Sequence, residues 1–364
     1  MKKKIILYLI IAIIATLILL IPNTYNENKS EGAGADLVNG EVTTVSEIQD
    51  SMQSLEVQLE DGKLVSFEND ESYSVSPRIF YPGDKIVMAK YQEDTGLNSY
   101  YVTDYQRTDA LIILFFCFVL AVLVVARMQG VGSIFGMLFS FLVLFKIVLP
   151  QILSGTNPVF AAIIGAILII PVAFYLSHGF NRKTHVAILG TVLTLILTGF
   201  LAEFFANLAS LTGLSSEEAG FLKIETSSNI NFGGIILAGM IISILGILDD
   251  ITISQSSIVN QLKGANKKIS FQELFSRSMA VGRDHISSLV NTLVLVYTGA
   301  SLPLLLLFLD HSQPFMQVIN LEFIAEEIVL TLVGSIGLIV AVPITTVIAC
   351  VLADGKGKAS HCHH

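Results

Sequence analysis

Asp249 and Asp250 stand side by side in "GILDDITISQ" (Gly246 to Gln255), at the end of an apolar run. An ionisable group at the edge of a membrane span marks an ion or solute path, a proton relay, or an ion-pair lock between helices. The next apolar run opens as "GRDHISSLVNTLVLVYTGASLP", which brings Arg283, Asp284, His285, Ser287 and Asn291 to the same end. Helical spacing puts Asp250 on a stripe with Gly239, Ser243 and Gly246, and Asp249 on a stripe with Ala238, Ile242 and Leu245. Small stripes let backbones approach closely. The expectation is therefore a seam that holds Asp250 against Ser287 and Asn291, with Asp249 the more replaceable acid. A solute or proton pathway and a structural lock explain these residues equally well.

Lys146 in "LVLFKIVLP" and Glu203 in "GFLAEFFANL" lie near the outer ends of their runs and make a candidate outer gate, with snorkelling to the surface as the plainer alternative. Adjacent aspartates diverge by about 100° on a helix, so they do not share a proton as a facing dyad does. P-loop, HExxH, GxSxG and dinucleotide patterns are absent from the sequence. The expectation is no enzyme, no catalytic residue and no cofactor. The tail "HCHH" (His361 to His364) carries metal-ligand types and is read as an exposed end, with no metal site expected.

The elements that must position these residues are membrane helices. Of the 364 residues, 53% are hydrophobic and 14% charged, which places the chain in the membrane class. A crossing needs about 20 apolar residues. Eight segments qualify: 5-22, 110-126, 131-149, 158-177, 185-206, 232-248, 286-308 and 327-351. The first, residues 1-22 with their leading lysines, reads as an uncleaved anchor. Lysine and arginine cluster in alternate connections, among them Arg127, Arg182, Lys183, Lys263, Lys267 and Lys268, whereas the short opposite loops hold only Lys223. The basic side is cytoplasmic, so both termini face the cytoplasm and residues 23-108 face outward. The seven-helix part spans 109-354, with a cytoplasmic amphipathic segment at 251-283 and a tail at 355-364. Within that segment, Ser270 and Glu273 form a capping box that should start a helix near Phe271.

The net charge of -9 is local, because residues 23-108 hold 16 acidic and 6 basic side chains. That region reads as a small extracytoplasmic β domain. Leu55, Val57 and Leu59 alternate before Asp61-Gly62, a type I′ hairpin signal, and "YPGD" (Tyr81 to Asp84) marks a second turn. About five short strands suggest a small barrel of OB-like kind. Cys117, Cys350 and Cys362 lie outside it and imply no disulfide framework.

"GILDDITISQ" followed some thirty residues later by "GRDHISSLVNTLVLVYTGASLPLLLLF" resembles the YibE/F family of bacterial multi-pass membrane proteins. The likeness extends from the N-terminal anchor to the last span and is most specific in residues 246-307. It implies a plasma-membrane protein, often with a related companion, and supplies no established catalytic residue. Residues 246-351 also look like the SecD/SecF and RND export permeases, in which such a core couples proton movement to export. An extra pair of spans and a much smaller outer domain depart from that pattern. The functional expectation is a transporter or export permease for a small solute, ion or peptide, with protons as the coupling ion. The alternative is a non-transporting scaffold that acts through its outer domain and a partner. Expected partners are the lipid bilayer and a companion membrane protein or a second copy, and no nucleic acid.

Overall fold

The computed structural model describes residues 15-16, 18, 36-46, 52-70, 78-92, 98-225, 230-303, 305-306 and 314-354. The expected anchor at 5-22 lies almost wholly outside them, and the tail at 355-364 wholly so. The chain divides into two units, Asn28–Val125 and Ala126–His364 with Met1–Glu27.

The first unit carries five antiparallel strands: β1 (Asp36–Val45), β2 (Met52–Leu59), β3 (Leu64–Asp70), β4 (Lys85–Gln92) and β5 (Asn98–Tyr105), in the order β3-β2-β1-β4-β5. The sheet curls into a half-barrel whose edges approach, with Phe67 of β3 stacked 6.4 Å from Tyr100 of β5. Alternation sends Gln53, Leu55, Val57 and Leu59 inward, where they meet Val42, Phe80, Ile86 and Met88. Buried Gln53 spends both ends of its amide on the Phe80 backbone, at 2.8 and 3.1 Å, and so ties the segment before β4 to β2. The β2–β3 turn is not type I′, since only Gly62 has positive φ (81°). The Leu59 amide donates to the Lys63 carbonyl at 2.9 Å around a three-residue loop, and Asp61 accepts from the Lys63 amide.

The helices are α1 (Thr108–Val143), a π-helical turn at Leu144–Val148, α2 (Leu149–Leu153), α3 (Pro158–His178), α4 (Arg182–Leu208), α5 (Glu217–Glu225), α6 (Phe232–Ala265), α7 (Phe271–Ala300), α8 (Phe315–Val318) and α9 (Glu322–Asp354). Among the described residues, five helical runs are long and apolar enough to cross a membrane: Thr108–Leu153, Pro158–His178, Arg182–Leu208, Phe232–Ala265 and Glu322–Ala353. The first holds 46 residues, about twice the length of one crossing. Arg127 interrupts it at φ 51° and ψ -131°, between the two spans expected there. The expected span at 286-308 falls on α7 and continues into residues outside the description.

In the second unit, α4, α6 and α9 pack against one another, α3 lies on α6, and α7 lies against α9 and α6. Small residues set the spacing. A Cβ on Gly190 of α4 would come 2.4 Å from Thr345 Oγ1 of α9, and one on Gly337 of α9 would come 2.4 Å from Thr198 Cγ2. Those two contacts fix α4 and α9 as antiparallel, and they make Gly337 and Thr345, on the small-residue stripe Gly334, Gly337, Ala341, Thr345 and Ala349 of α9, part of a packing seam.

Candidate functional site

The two aspartates do not close a helix. α6 runs on to Ala265 before Asn266 ends it, so Asp249 and Asp250 sit in mid-helix. Their environments reverse the expectation from spacing. Gly239, Ser243, Gly246 and Asp250 are all exposed, and nothing lies within 4 Å of where a Cβ on either glycine would stand. The packed faces are the others: Ala238, Leu245, Leu248 and Thr252 are buried against α3, α4 and α9. Smallness alone did not identify the seam, because the larger apolar residues flanking the stripe are the ones that neighbouring helices cover.

Asp249 is partly buried, and its Oδ1 is enclosed with no hydrogen-bond partner among the described residues. One turn further along α6, Thr252 donates to the Leu248 carbonyl at 2.9 Å, and its hydroxyl lies 2.8 Å from that of Thr191 on α4. Thr191 is therefore the donor of that pair. Ser256 Oγ donates to the Lys183 carbonyl at 2.8 Å, so α4 and α6 run antiparallel. In that register, Asp249 (three residues before Thr252) and Thr194 (three after Thr191) come to the same level of the α4–α6 contact. Thr194 is fully buried, and its Oγ1 also has no partner among the described residues.

A buried polar row continues from there. Thr184, Thr191, Thr194 and Thr198 share one face of α4, Thr252, Gln255 and Ser256 come from α6, and Thr345 and Thr346 from α9. Gln255 Nε2 donates to Thr346 Oγ1 at 2.7 Å and to the Ser278 carbonyl of α7 at 3.0 Å. Gly282 of α7 fits here because a Cβ would stand 2.5 Å from Val342 and 3.2 Å from the Gln255 amide. The threonines were missed in the sequence although their spacing of seven, three and four was visible. A threonine in an apolar helix reads as tolerated filler, since its hydroxyl can bond to its own backbone.

The residues expected opposite the aspartates are placed differently. The packed side of α7 carries Leu274, Ser278, Gly282, Ile286, Leu289 and Leu293. At 100° per residue, Asp284, Ser287 and Asn291 lie on the opposite side, and all three are exposed. Arg283 is exposed and His285 partly buried, and no ion pair joins Arg283 or His285 to Asp249 or Asp250. The seam of Asp250 with Ser287 and Asn291 is thus corrected: α6 and α7 meet through other faces. Lys146 sits in the π-helical turn and Glu203 is exposed on α4, with no ion pair between them. The Ser270 cap stands as expected, its Oγ accepting from the Glu273 amide at 3.3 Å, while the Glu273 carboxylate pairs with Arg277 at 2.6 Å; the helix it starts runs unbroken to Ala300. No group of three or more His, Cys, Asp or Glu suited to a metal occurs among the described residues, and "HCHH" lies outside them.

A family model described as YibE/F-like protein matches residues 114–355, two thirds of the chain. The chain belongs to the YibE/F family. The match covers the helical unit of this YibE/F chain from within α1 onward and leaves the β domain outside it. Together with the apolar helices it supports a membrane protein. No curated protein and no solved structure matches the chain, and the likeness to the SecD/SecF and RND permeases gains no support from these comparisons.

Proposed function

We propose that this YibE/F chain is a transporter or export permease of the bacterial plasma membrane, moving a small solute, ion or peptide, and that Asp249 couples the movement to protons. The observation that carries this reading is the enclosed, unpartnered Oδ1 of Asp249 at the level of the equally unpartnered Thr194 hydroxyl. A polar atom sealed without a partner costs free energy. A proton or cation gained or lost at that oxygen therefore changes the cost of keeping α4 and α6 in contact, which is what a coupled two-state cycle needs. A carboxylate that serves only as an anchor has no use for such a cost. In this reading the chain makes eight crossings with both termini in the cytoplasm, and residues 23-108 face outward. Its partners are the bilayer and a companion or second copy, and it has neither a catalytic residue nor a cofactor.

A second reading, a scaffold without transport, draws on α7. Its outward stripe of Asp284, Ser287 and Asn291 would be poorly placed against lipid and well placed against a partner helix. The two are separated by reconstituting the full chain into phosphatidylethanolamine–phosphatidylglycerol vesicles that enclose a pH-sensitive dye. A transporter dissipates an imposed pH gradient faster than protein-free vesicles do. Equal rates contradict the transport reading and favour the scaffold.

A further inference from the structure

Where the turn between α3 and α4 meets the last turns of α6, a cavity of about 290 Å³ opens, lined by Asn181, Arg182, Lys183, Ser257, Asn260 and Gln261. That volume is at the low end of the roughly 300–1,000 Å³ of small-molecule sites, which suits a headgroup or a small anion better than a bulky solute. None of the six lining residues is acidic. Arg182 and Lys183 have no acidic partner among the described residues. Arg182 spends one donor on the Leu352 carbonyl of α9 and keeps the rest of its five. Asn181 is already committed: its Oδ1 caps α4 by accepting from the Thr184 amide at 3.0 Å, and its Nδ2 donates to the His178 carbonyl. It shapes the wall, while recognition falls to two cations and to the hydroxyl and amide donors of Ser257, Asn260 and Gln261. Cations supplemented by neutral donors are the set that binds phosphate oxygens.

The place of the cavity adds a second argument. His178 ends one candidate span and Arg182 begins the next, so the cavity lies at a span boundary, the level of lipid headgroups. By helical spacing Ser257 falls on the same stripe of α6 as the exposed Gly239, Ser243 and Gly246, where the two glycines leave open space, with buried Ile253 between them and the cavity. Asp250 is the acid on that face, seven residues or about 10 Å of helix from Ser257, far enough that it does not line the cavity.

We propose that this cavity binds a phosphate group, supplied either by the headgroup of an anionic phospholipid lying along α6 or by soluble phosphate. The site does not depend on whether the chain transports. The test uses the full chain in detergent with three probes, phosphatidylglycerol, diacylglycerol and inorganic phosphate, and reads bound lipid by native mass spectrometry and the melting temperature with each probe. The lipid source predicts retained phosphatidylglycerol, little diacylglycerol, and a loss of roughly tenfold in affinity for Lys183→Gln. The soluble source predicts a melting shift with inorganic phosphate that Lys183→Gln loses. Ser257→Phe fills the cavity and keeps both cations, so it should abolish binding as well, and it carries the comparison if Lys183→Gln fails to fold. Equal retention of the two lipids without a phosphate shift overturns the proposal, as does wild-type binding by both variants.

Discussion

Between Gly190 and Thr345 there is no space for even one carbon, because a Cβ would stand 2.4 Å from the hydroxyl oxygen. Gly190→Ala should therefore destabilise the bundle by about 1–3 kcal/mol through overpacking. Adding Thr345→Ala removes the obstructing atoms and should recover most of that loss, read as melting temperature in detergent. The same measurement on Gly246→Leu should show a change within about 0.5 kcal/mol, as expected for an exposed position. A large loss there would return Gly246 to the seam. Both glycines look alike in sequence, each three residues after a small one, Ala187 before Gly190 and Ser243 before Gly246. What separates them is which neighbour arrives, and that depends on contacts between residues some 150 positions apart, as with Gly190 and Thr345.

Local chemistry made several elements legible. The alternation of β2, the Ser270 cap and the positive φ of Gly62 each follow from a few adjacent residues. Helix ends without such signals were misplaced: nothing between Leu248 and Ala265 breaks a helix, and α6 simply continues through the aspartates. At the end of β5, Asp104 takes Arg107 at 2.8 Å and Arg78 at 3.0 Å. The Arg107 hydrogen bond, helped by the Tyr105 amide, holds the Asp104 carboxyl below its ordinary value. A lowered folded-state value contributes stability that is fully present above the unfolded carboxylate value of about 3.9 and is lost as pH falls through the folded one. Amide exchange measured across Asn98–Tyr105 in the full chain should lose protection below about pH 4, relative to intrinsic rates. Asp104→Asn should flatten that dependence, and an unchanged profile would mean that these exposed pairs add nothing measurable.

On the scale of the whole molecule, composition and alternation pointed to a membrane protein with an acidic β domain; the structure carries the β domain, and the apolar helices with the family support the membrane protein. Orientation is open to a direct check in a background without Cys117, Cys350 and Cys362. A cysteine at Ser66 of β3 should label from outside intact cells, and one at Ser270 should not; outside labelling at Ser270 contradicts the proposed topology. The site was only half legible. The aspartates stood out by charge, but the polar row behind Asp249 is assembled from α4, α6 and α9, whose pairing leaves no mark in local spacing. The account turns on Asp249 as the working carboxylate and Asp250 as the replaceable one. Asp249→Asn and Asp250→Asn, each in the full chain, are to be compared with wild type for melting in detergent and for dissipation of a pH gradient in vesicles. The account predicts that Asp249→Asn folds and moves no protons while Asp250→Asn keeps most of the wild-type rate; wild-type proton movement by Asp249→Asn, with loss in Asp250→Asn alone, would contradict it.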